Sequence, residues 1–362
     1  MHKRMGWPAS IGAAVLLGTT AICAKAQDAP RTSSAWAEAL SSLERDIPAW
    51  LTESGIRGMT VAAFSGDEEW AQAFGELEAE SGRELQTTTL FEAASLSKPV
   101  FAHIIRGLIR GGSIDIDQPL ASYYDDPRLP DDPRSNELTA RLVLSHQTGF
   151  PNWARQEPLG FRSDPGERFG YSGEGYVHLQ RVVEEVTGRT LDELAHEHVF
   201  GPYSMTHSSY LFDSLSAPEF AVPHHTRGTT FAKRPAPPEG NAAASLHSTA
   251  EDYLRFVRQT LELFEEDPEW GRDVMSPDVT VANGVSWSLG WALEDRPQGT
   301  ALWHYGDNGP FKAFVYVVPD LSQGFVFFAN STQGLSLTSR IVGRLFPGEH
   351  PLFDWLDYDQ MQ

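Results

Sequence analysis

Cysteine is almost missing from this chain: one residue, Cys23, stands among 362. That excludes a disulfide-stapled scaffold and a Cys-ligated metal cluster, both of which need several thiols. Positive charge is scarce as well. Lys and Arg total 28 against 49 Asp and Glu, a formal charge of −21, and only five residues are lysine. A surface of that sign repels phosphate backbones and anionic headgroups, so no nucleic-acid partner is expected. The acids lie in short runs such as Asp131-Asp132 and Glu265-Glu266-Asp267; they read as a solvated surface and identify no substrate. Beyond residue 26 no charge-free apolar stretch approaches the roughly 20 residues of a membrane-spanning helix, so no integral span is expected. His196-Glu197-His198 and His224-His225 lack the His-Glu-x-x-His spacing that sets two ligands on one helical face. No Gly-rich phosphate cradle stands between a strand and a helix. The sequence therefore predicts neither a metal nor an organic cofactor.

What is present is a chain long enough, and apolar enough at 41% hydrophobic residues, to bury a large core in two or three lobes. His2, Lys3 and Arg4 precede an apolar stretch from Ile11 to Cys23, followed by Ala24-Lys25-Ala26. Charge, short apolar run and small-x-small pattern in that order predict a cleavable signal peptide over residues 1–26 and a periplasmic or extracellular mature protein. Cleavage there removes Lys3, Arg4 and Lys25 but no acid, and leaves no thiol nucleophile. A lipoprotein acylated at Cys23 is the competing expectation, disfavoured by the bulky Ile22 before it.

Trp36, Leu40, Leu43 and Ile47 recur at helical spacing and predict an amphipathic helix over 34–53. Two short strands, 58–64 and 69–75, flank the turn-like Ser65-Gly66-Asp67. A helix is expected over 95–110, ending at Gly111-Gly112. Residues 116–284 change character: helical candidates at 138–146, 175–187, 190–198 and 249–264 are separated by loops rich in Pro, Gly and Asp, among them a surface loop at 235–240. Strand-like segments return at 287–292, 301–304, 311–318 and 324–329, then a helix over 335–345. Strands at both ends imply one sheet. The expected architecture is an α/β lobe (27–115 and 285–362) with an inserted, mainly helical lobe (116–284) and a ligand cleft between them.

Ser95-Leu96-Ser97-Lys98 is a Ser-x-x-Lys motif at an expected helix start, where side chains at i and i+3 share a face and the amine can approach the hydroxyl. With 30 serines and five lysines, chance supplies about 0.4 such spacings, so the motif needs context. A lysine desolvated between lobes favours the neutral amine that can accept a proton. Otherwise Ser95 merely caps the helix and Lys98 is a surface charge. Tyr171, in Phe169-Gly170-Tyr171-Ser172-Gly173-Glu174-Gly175, either faces the cleft or packs within its loop. Trp303-His304-Tyr305-Gly306-Asp307-Asn308-Gly309 closes one expected strand before another begins at Phe311; a lone histidine there would ordinarily be structural.

These three elements, in this order, resemble the serine β-lactamase and penicillin-binding protein superfamily, nearest the class C β-lactamase branch with its related DD-peptidases and family VIII esterases. Leu144-Ser145-His146-Gln147-Thr148-Gly149, Ser248-Thr249-Ala250-Glu251-Asp252 and Ser288-Leu289-Gly290-Trp291 add to the likeness, which covers nearly the whole mature chain. The resemblance implies an α+β fold of the β-lactamase/DD-peptidase type, an antiparallel sheet flanked by helices. It implies that Ser95 attacks a carbonyl to form an acyl-enzyme, while Lys98 and Tyr171 share the proton transfers as a pair that titrates together. The oxyanion hole would be the backbone amides of Ser95 and Asp307, and Gly306 would let substrate lie against the strand edge. His304 would stand where many relatives carry the Lys of Lys-Thr-Gly; an uncharged histidine attracts a carboxylate less. Gly173 replaces the Asn whose amide binds the acylamino group of β-lactams. Glu174 is expected either to add a polar contact or to face solvent at a helix start.

The expected function is an exported serine hydrolase that cleaves an ester or amide through an acyl-serine at Ser95. The substrate would be a small molecule or a peptidoglycan-derived peptide, with ester or D-Ala-type peptide ranked above β-lactam. The alternative is a penicillin-binding-like envelope protein that binds or acylates with little turnover; Ser95, Lys98 and Tyr171 together favour the enzyme. An α/β-hydrolase is set aside, because Gly170-Tyr171-Ser172-Gly173-Glu174 misses Gly-x-Ser-x-Gly at its last position.

Overall fold

The computed structural model describes residues 33–154, 159–212, 219–225 and 239–356. The expected signal over 1–26 and residues 235–238 of the Pro-rich loop lie outside the described residues. Helix α1 (Ser33–Ser54) leads into the hairpin β1 (Gly58–Ser65) and β2 (Glu68–Gly75), then β3 (Phe91–Glu92), a one-turn 3-10 helix (Ala94–Leu96) and α2 (Ser97–Arg110). The middle of the chain holds α3 (Ala140–Leu144), α4 (Gly173–Thr187), α5 (Leu191–Ala195), β4 (His247–Ser248), α6 (Ala250–Glu266) and α7 (Pro268–Met275). Six strands follow: β5 (Val279–Ala282), β6 (Val285–Trp287), β7 (Ala292–Glu294), β8 (Ala301–Asn308), β9 (Phe311–Val318) and β10 (Gln323–Ala329). The last helices are α8 (Thr338–Leu345) and α9 (Pro351–Leu356).

Local chemistry sets the helix ends. Ser172, Thr190, Thr249 and Asp267 each accept a backbone N–H of the first turn of α4, α5, α6 and α7, and α4 stops where Gly188 turns left-handed at φ +65. Strands β1, β2 and β5–β10 form one antiparallel sheet in the order β2-β1-β10-β9-β8-β7-β6-β5. Alternation sorts their side chains. Ala313, Val315 and Val317 of β9 join one core with α2, α4 and α6, whereas Phe314, Tyr316 and Val318 join a second with α1 and α8. With both faces covered, β9 reads as a nearly unbroken apolar run. This is the antiparallel sheet flanked by helices that the resemblance implies. No helix among the described residues is long and apolar enough to cross a membrane.

Three details differ from expectation. The apolar spacing predicts one strand over 287–292, but β6 ends at Trp287 and the chain turns before β7. Gly290 makes that turn at φ +81, and a Cβ there would lie 2.4 Å from the Ala102 Cβ of α2. The strand expected over 301–304 runs on to Asn308, because Tyr305 to Asn308 continue the ladder with β9. The 116–284 segment is also less separate than expected: β5 is the edge strand of the main sheet, and α6 packs across β1 and β10.

Candidate active site

Sheet and helices meet at the turn before α2. The Ala93 N–H donates to the Leu246 carbonyl at 2.7 Å, and Ala94 is held at φ +51, a left-handed conformation that costs a non-glycine residue about 1 kcal/mol. Ser97 fixes this shape: its Oγ donates to the Ala94 carbonyl at 2.5 Å and accepts the Leu246 N–H at 3.0 Å. The hydroxyls of Tyr253 and Tyr210 donate to the Leu96 and Ser97 carbonyls at 2.9 and 2.8 Å. Between buried Ala94 and Leu96, Ser95 remains half-exposed. It is not a helix cap. Neither the turn nor α2 has a side-chain cap, and Ser95 Oγ instead lies 3.0 Å from Lys98 Nζ.

Lys98 is fully buried. Its Nζ donates to the Ala243 carbonyl at 2.8 Å and stands 4.7 Å from the centre of the Tyr171 ring and 5.5 Å from that of Tyr176. The Ser95 side chain acts on the Tyr171 phenol and favours its ionised form. Burial pushes the Lys98 amine well below its ordinary value. Burial also pushes the Tyr171 phenol well up, against the opposing effect of Ser95. Each shift disfavours the charged form of its group, and the two groups titrate together.

Rings brace Tyr171 from behind. His146, at φ +57, stacks on it at 4.2 Å between centroids, with Trp287 at 5.8 Å and His304 at 6.2 Å. The two histidines hold opposite tautomers. His146 Nδ1 accepts the Ser172 N–H at 3.0 Å, leaving the ring proton on Nε2. His304 Nδ1 faces the Tyr305 carbonyl at 2.8 Å, and a carbonyl only accepts, so its proton is on Nδ1. Burial, then the Lys98 charge, lowers His304 to about 3, and it is neutral at pH 7. The resemblance sets His304 beside the substrate; the structure buries it completely behind Tyr171.

β7 pairs only with Ala301 to Trp303 of β8, so the remainder of β8 has a strand neighbour on the β9 side alone. Counting the antiparallel alternation back from the two-residue turn Gly309-Pro310, Asn308 and Gly306 bond to β9, whereas Tyr305 and Asp307 turn their N–H groups to the open edge. The Asp307 side chain is exposed and accepts from Lys312 Nζ at 2.5 Å and from the Gly309 N–H at 2.8 Å. Gly306 also has a packing role. A Cβ there would stand 2.5 Å from the Ala93 carbonyl and 3.1 Å from the Ala94 Cβ, so the missing side chain makes room for the serine's own turn. Gly306→Ala is therefore expected to cost about 2 kcal/mol of stability and at least about tenfold in hydrolysis. Chemical denaturation beside a rate measurement checks both; a variant that matches the parent in both would show that the close approach is dispensable.

Sequence reasoning misses several supporting groups. Ala243 acts through a backbone carbonyl and leaves no side-chain signal. Asn308 Nδ2 bonds Glu92 at 2.7 Å and the Ala244 carbonyl at 3.1 Å, tying β8 to the segment that holds Lys98. Glu174 does not face solvent: it is buried, paired with Arg128 at 3.0 Å, and accepts the Ala154 N–H at 2.9 Å. His224 accepts the Ala79 N–H at 2.9 Å, and no group of three or more metal-binding side chains occurs among the described residues.

The Beta-lactamase family profile matches residues 40–341. The chain is 24% identical over 344 residues to Penicillin-binding protein 4* of Bacillus subtilis (strain 168), covering 82% of this chain and 72% of that one. A β-lactamase/D-alanine carboxypeptidase from Pseudomonas syringae superposes with a TM-score of 0.72 at 17% identity, over 86% of this chain and 98% of the other. A class C β-lactamase does so with a TM-score of 0.74 at 16% identity, over 87% and 99%. At these identities the superpositions establish the fold. Because the profile match runs from α1 into α8, the protein belongs to the Beta-lactamase family of serine hydrolases.

Proposed function

We propose that this hydrolase cleaves an ester or amide through an acyl-enzyme on Ser95. One observation carries the reading: two groups of opposite use, each pushed by burial toward its neutral form, converge on a single hydroxyl. The Lys98 amine lies 3.0 Å from Ser95 Oγ with one N–H committed to Ala243, and its lone pair can take the serine proton. The Tyr171 phenol, whose titration Ser95 influences, has a proton to give. As Ser95 Oγ bonds to the substrate carbonyl carbon, its proton passes to Lys98, and the Ser95 and Asp307 amides receive the developing oxyanion. When the carbon–oxygen or carbon–nitrogen bond breaks, Tyr171 protonates the leaving group and recovers a proton from Lys98. Water then attacks the acyl carbon, the same pair takes its proton, and as the acyl carbon–Ser95 Oγ bond breaks the pair returns that proton to Ser95 Oγ and the acid departs.

Short esters, which need neither an acylamino nor a carboxylate partner, fit better than β-lactams. Gly173 offers no amide to an acylamino group, and buried neutral His304 offers no cation to a carboxylate. The printed names of the relatives, a penicillin-binding protein and a β-lactamase/D-alanine carboxypeptidase, support the same substrate range. The pattern over 1–26 supports an exported chain, whose intact mass would begin at residue 27. A panel of p-nitrophenyl butyrate, a D-Ala-D-Ala peptide and a chromogenic cephalosporin tests the ranking. The cephalosporin is expected to turn over at least about tenfold less efficiently than the best of the others. Comparable turnover would reverse the order, and a lasting acyl adduct from all three would favour a penicillin-binding-like protein with little turnover.

A further inference from the structure

The loop from Pro151 to Ala154 is fastened to the three residues that follow Tyr171. Ser172 Oγ donates to the Pro151 carbonyl at 2.9 Å. The Gly173 N–H meets Asn152 Oδ1 at 3.0 Å, and the N–H groups of Gly173 and Glu174 meet the Asn152 carbonyl at 3.0 and 3.1 Å. The Glu174 carboxylate takes the Ala154 N–H and is held in turn by Arg128. In the middle of this tied segment stands Trp153, 47% exposed, the one large apolar side chain that is exposed among the described residues. Burial is the ordinary fate of an indole, and its hydrogen-bonded loop keeps this one at the surface.

The position of the ring is specific. A Cβ built on Gly173 would lie 2.7 and 2.9 Å from two carbons of the Trp153 ring and 3.0 Å from the Asn152 carbonyl. The indole edge thus fills the direction in which a side chain at 173 would project, two residues beyond Tyr171. By resemblance, that is where β-lactamases place the amide that binds the acylamino group. The missing amide and the exposed tryptophan are one feature: hydrogen-bonding capacity has been exchanged for flat apolar surface.

We propose that Trp153 forms the wall of the acyl subsite, and that the preferred substrates carry a planar apolar acyl group, an arylacyl ester or amide, rather than a polar acylamino one. The proposal rests on acyl transfer at Ser95. An aromatic acyl group stacks on the indole without needing a polar partner, whereas an acetyl group has no ring to stack. p-Nitrophenyl phenylacetate and p-nitrophenyl acetate, which share a leaving group and differ only in the acyl part, separate the two cases on the full chain. Trp153→Ala is expected to lower kcat/KM for the phenylacetate about tenfold and to leave the acetate within about twofold. Trp153→Phe should restore most of the loss. Gly173→Asn, whose Cβ must displace the ring, should copy Trp153→Ala.

An equal loss on both esters would reduce Trp153 to a structural support, and no loss on either would remove it from the subsite; both overturn the proposal. Intact-mass detection of the acyl-serine keeps the underlying reading separate. If acetate acylates Ser95 normally while Trp153→Ala changes nothing, the wall alone fails. If neither ester acylates Ser95 in the parent protein, the hydrolase reading fails and takes the wall with it.

Discussion

Ser95→Ala is expected to lower hydrolysis by at least about ten-thousandfold on every substrate the protein accepts, and to leave the fold intact. The two parts of that expectation have separate causes. Chemistry is lost because no other hydroxyl is placed between the Lys98 amine and the Tyr171 phenol. The fold survives because the strained turn is held by Ser97, Tyr210 and Tyr253, not by the Ser95 side chain, which is half-exposed; stability should move by less than about 1 kcal/mol. Rate, acyl-adduct mass and thermal melting measured on one preparation check all of it. A variant that hydrolyses as fast as the parent would remove Ser95 from the mechanism.

Lys98→Met should cost at least about a thousandfold in kcat with a small change in KM, because it removes a proton acceptor and not a binding surface. Its effect on stability should have the opposite sign. Burial lowers the folded-state value of Lys98 below that of the unfolded chain, so between the two values the unfolded chain binds more protons. Stability of the parent therefore rises with pH through that window and levels off above the ordinary lysine value. Methionine has no such penalty, and the variant should be at least as stable as the parent at pH 7, the gap narrowing as pH approaches 10. Denaturation at both pH values measures this; a variant that keeps its rate within tenfold would show that the amine is not the base. The same logic assigns the acid limb of the parent's pH–rate profile to the lysine–tyrosine pair. Burial holds His304 at about 3 and His146 well below its ordinary value, so neither can produce a limb near 6.5.

What could be read in advance depended on whether a residue's role is written in its side chain. The Ser-x-x-Lys spacing is visible because one helical turn sets the reach of the amine. Tyr171 gains meaning only in order with the other two motifs. The long strands β9 and β10 announce themselves as apolar runs. Roles that belong to backbone or to packing left no such trace. The carbonyl of Ala243 is the same group in any residue, and Gly306 as readily suggests room for a ligand as room for a neighbouring turn. His304 carries a chemistry-bearing ring in a motif position, yet only tertiary packing decides that the ring is dry. β5 has only four residues, too short a run to show by alternation, and it is recognised as a strand by the partner it finds.

The pairing of β1 with β10 joins the first strand of the chain to the last, and it has a bearing on when this protein becomes reactive. Ser95 and Lys98 stand early in the chain order, but β8, the strand opposite them, comes later and is braced only once β10 has closed the sheet. Until then the hydroxyl has no assembled surroundings, and a chain lacking β10 would carry an inert serine.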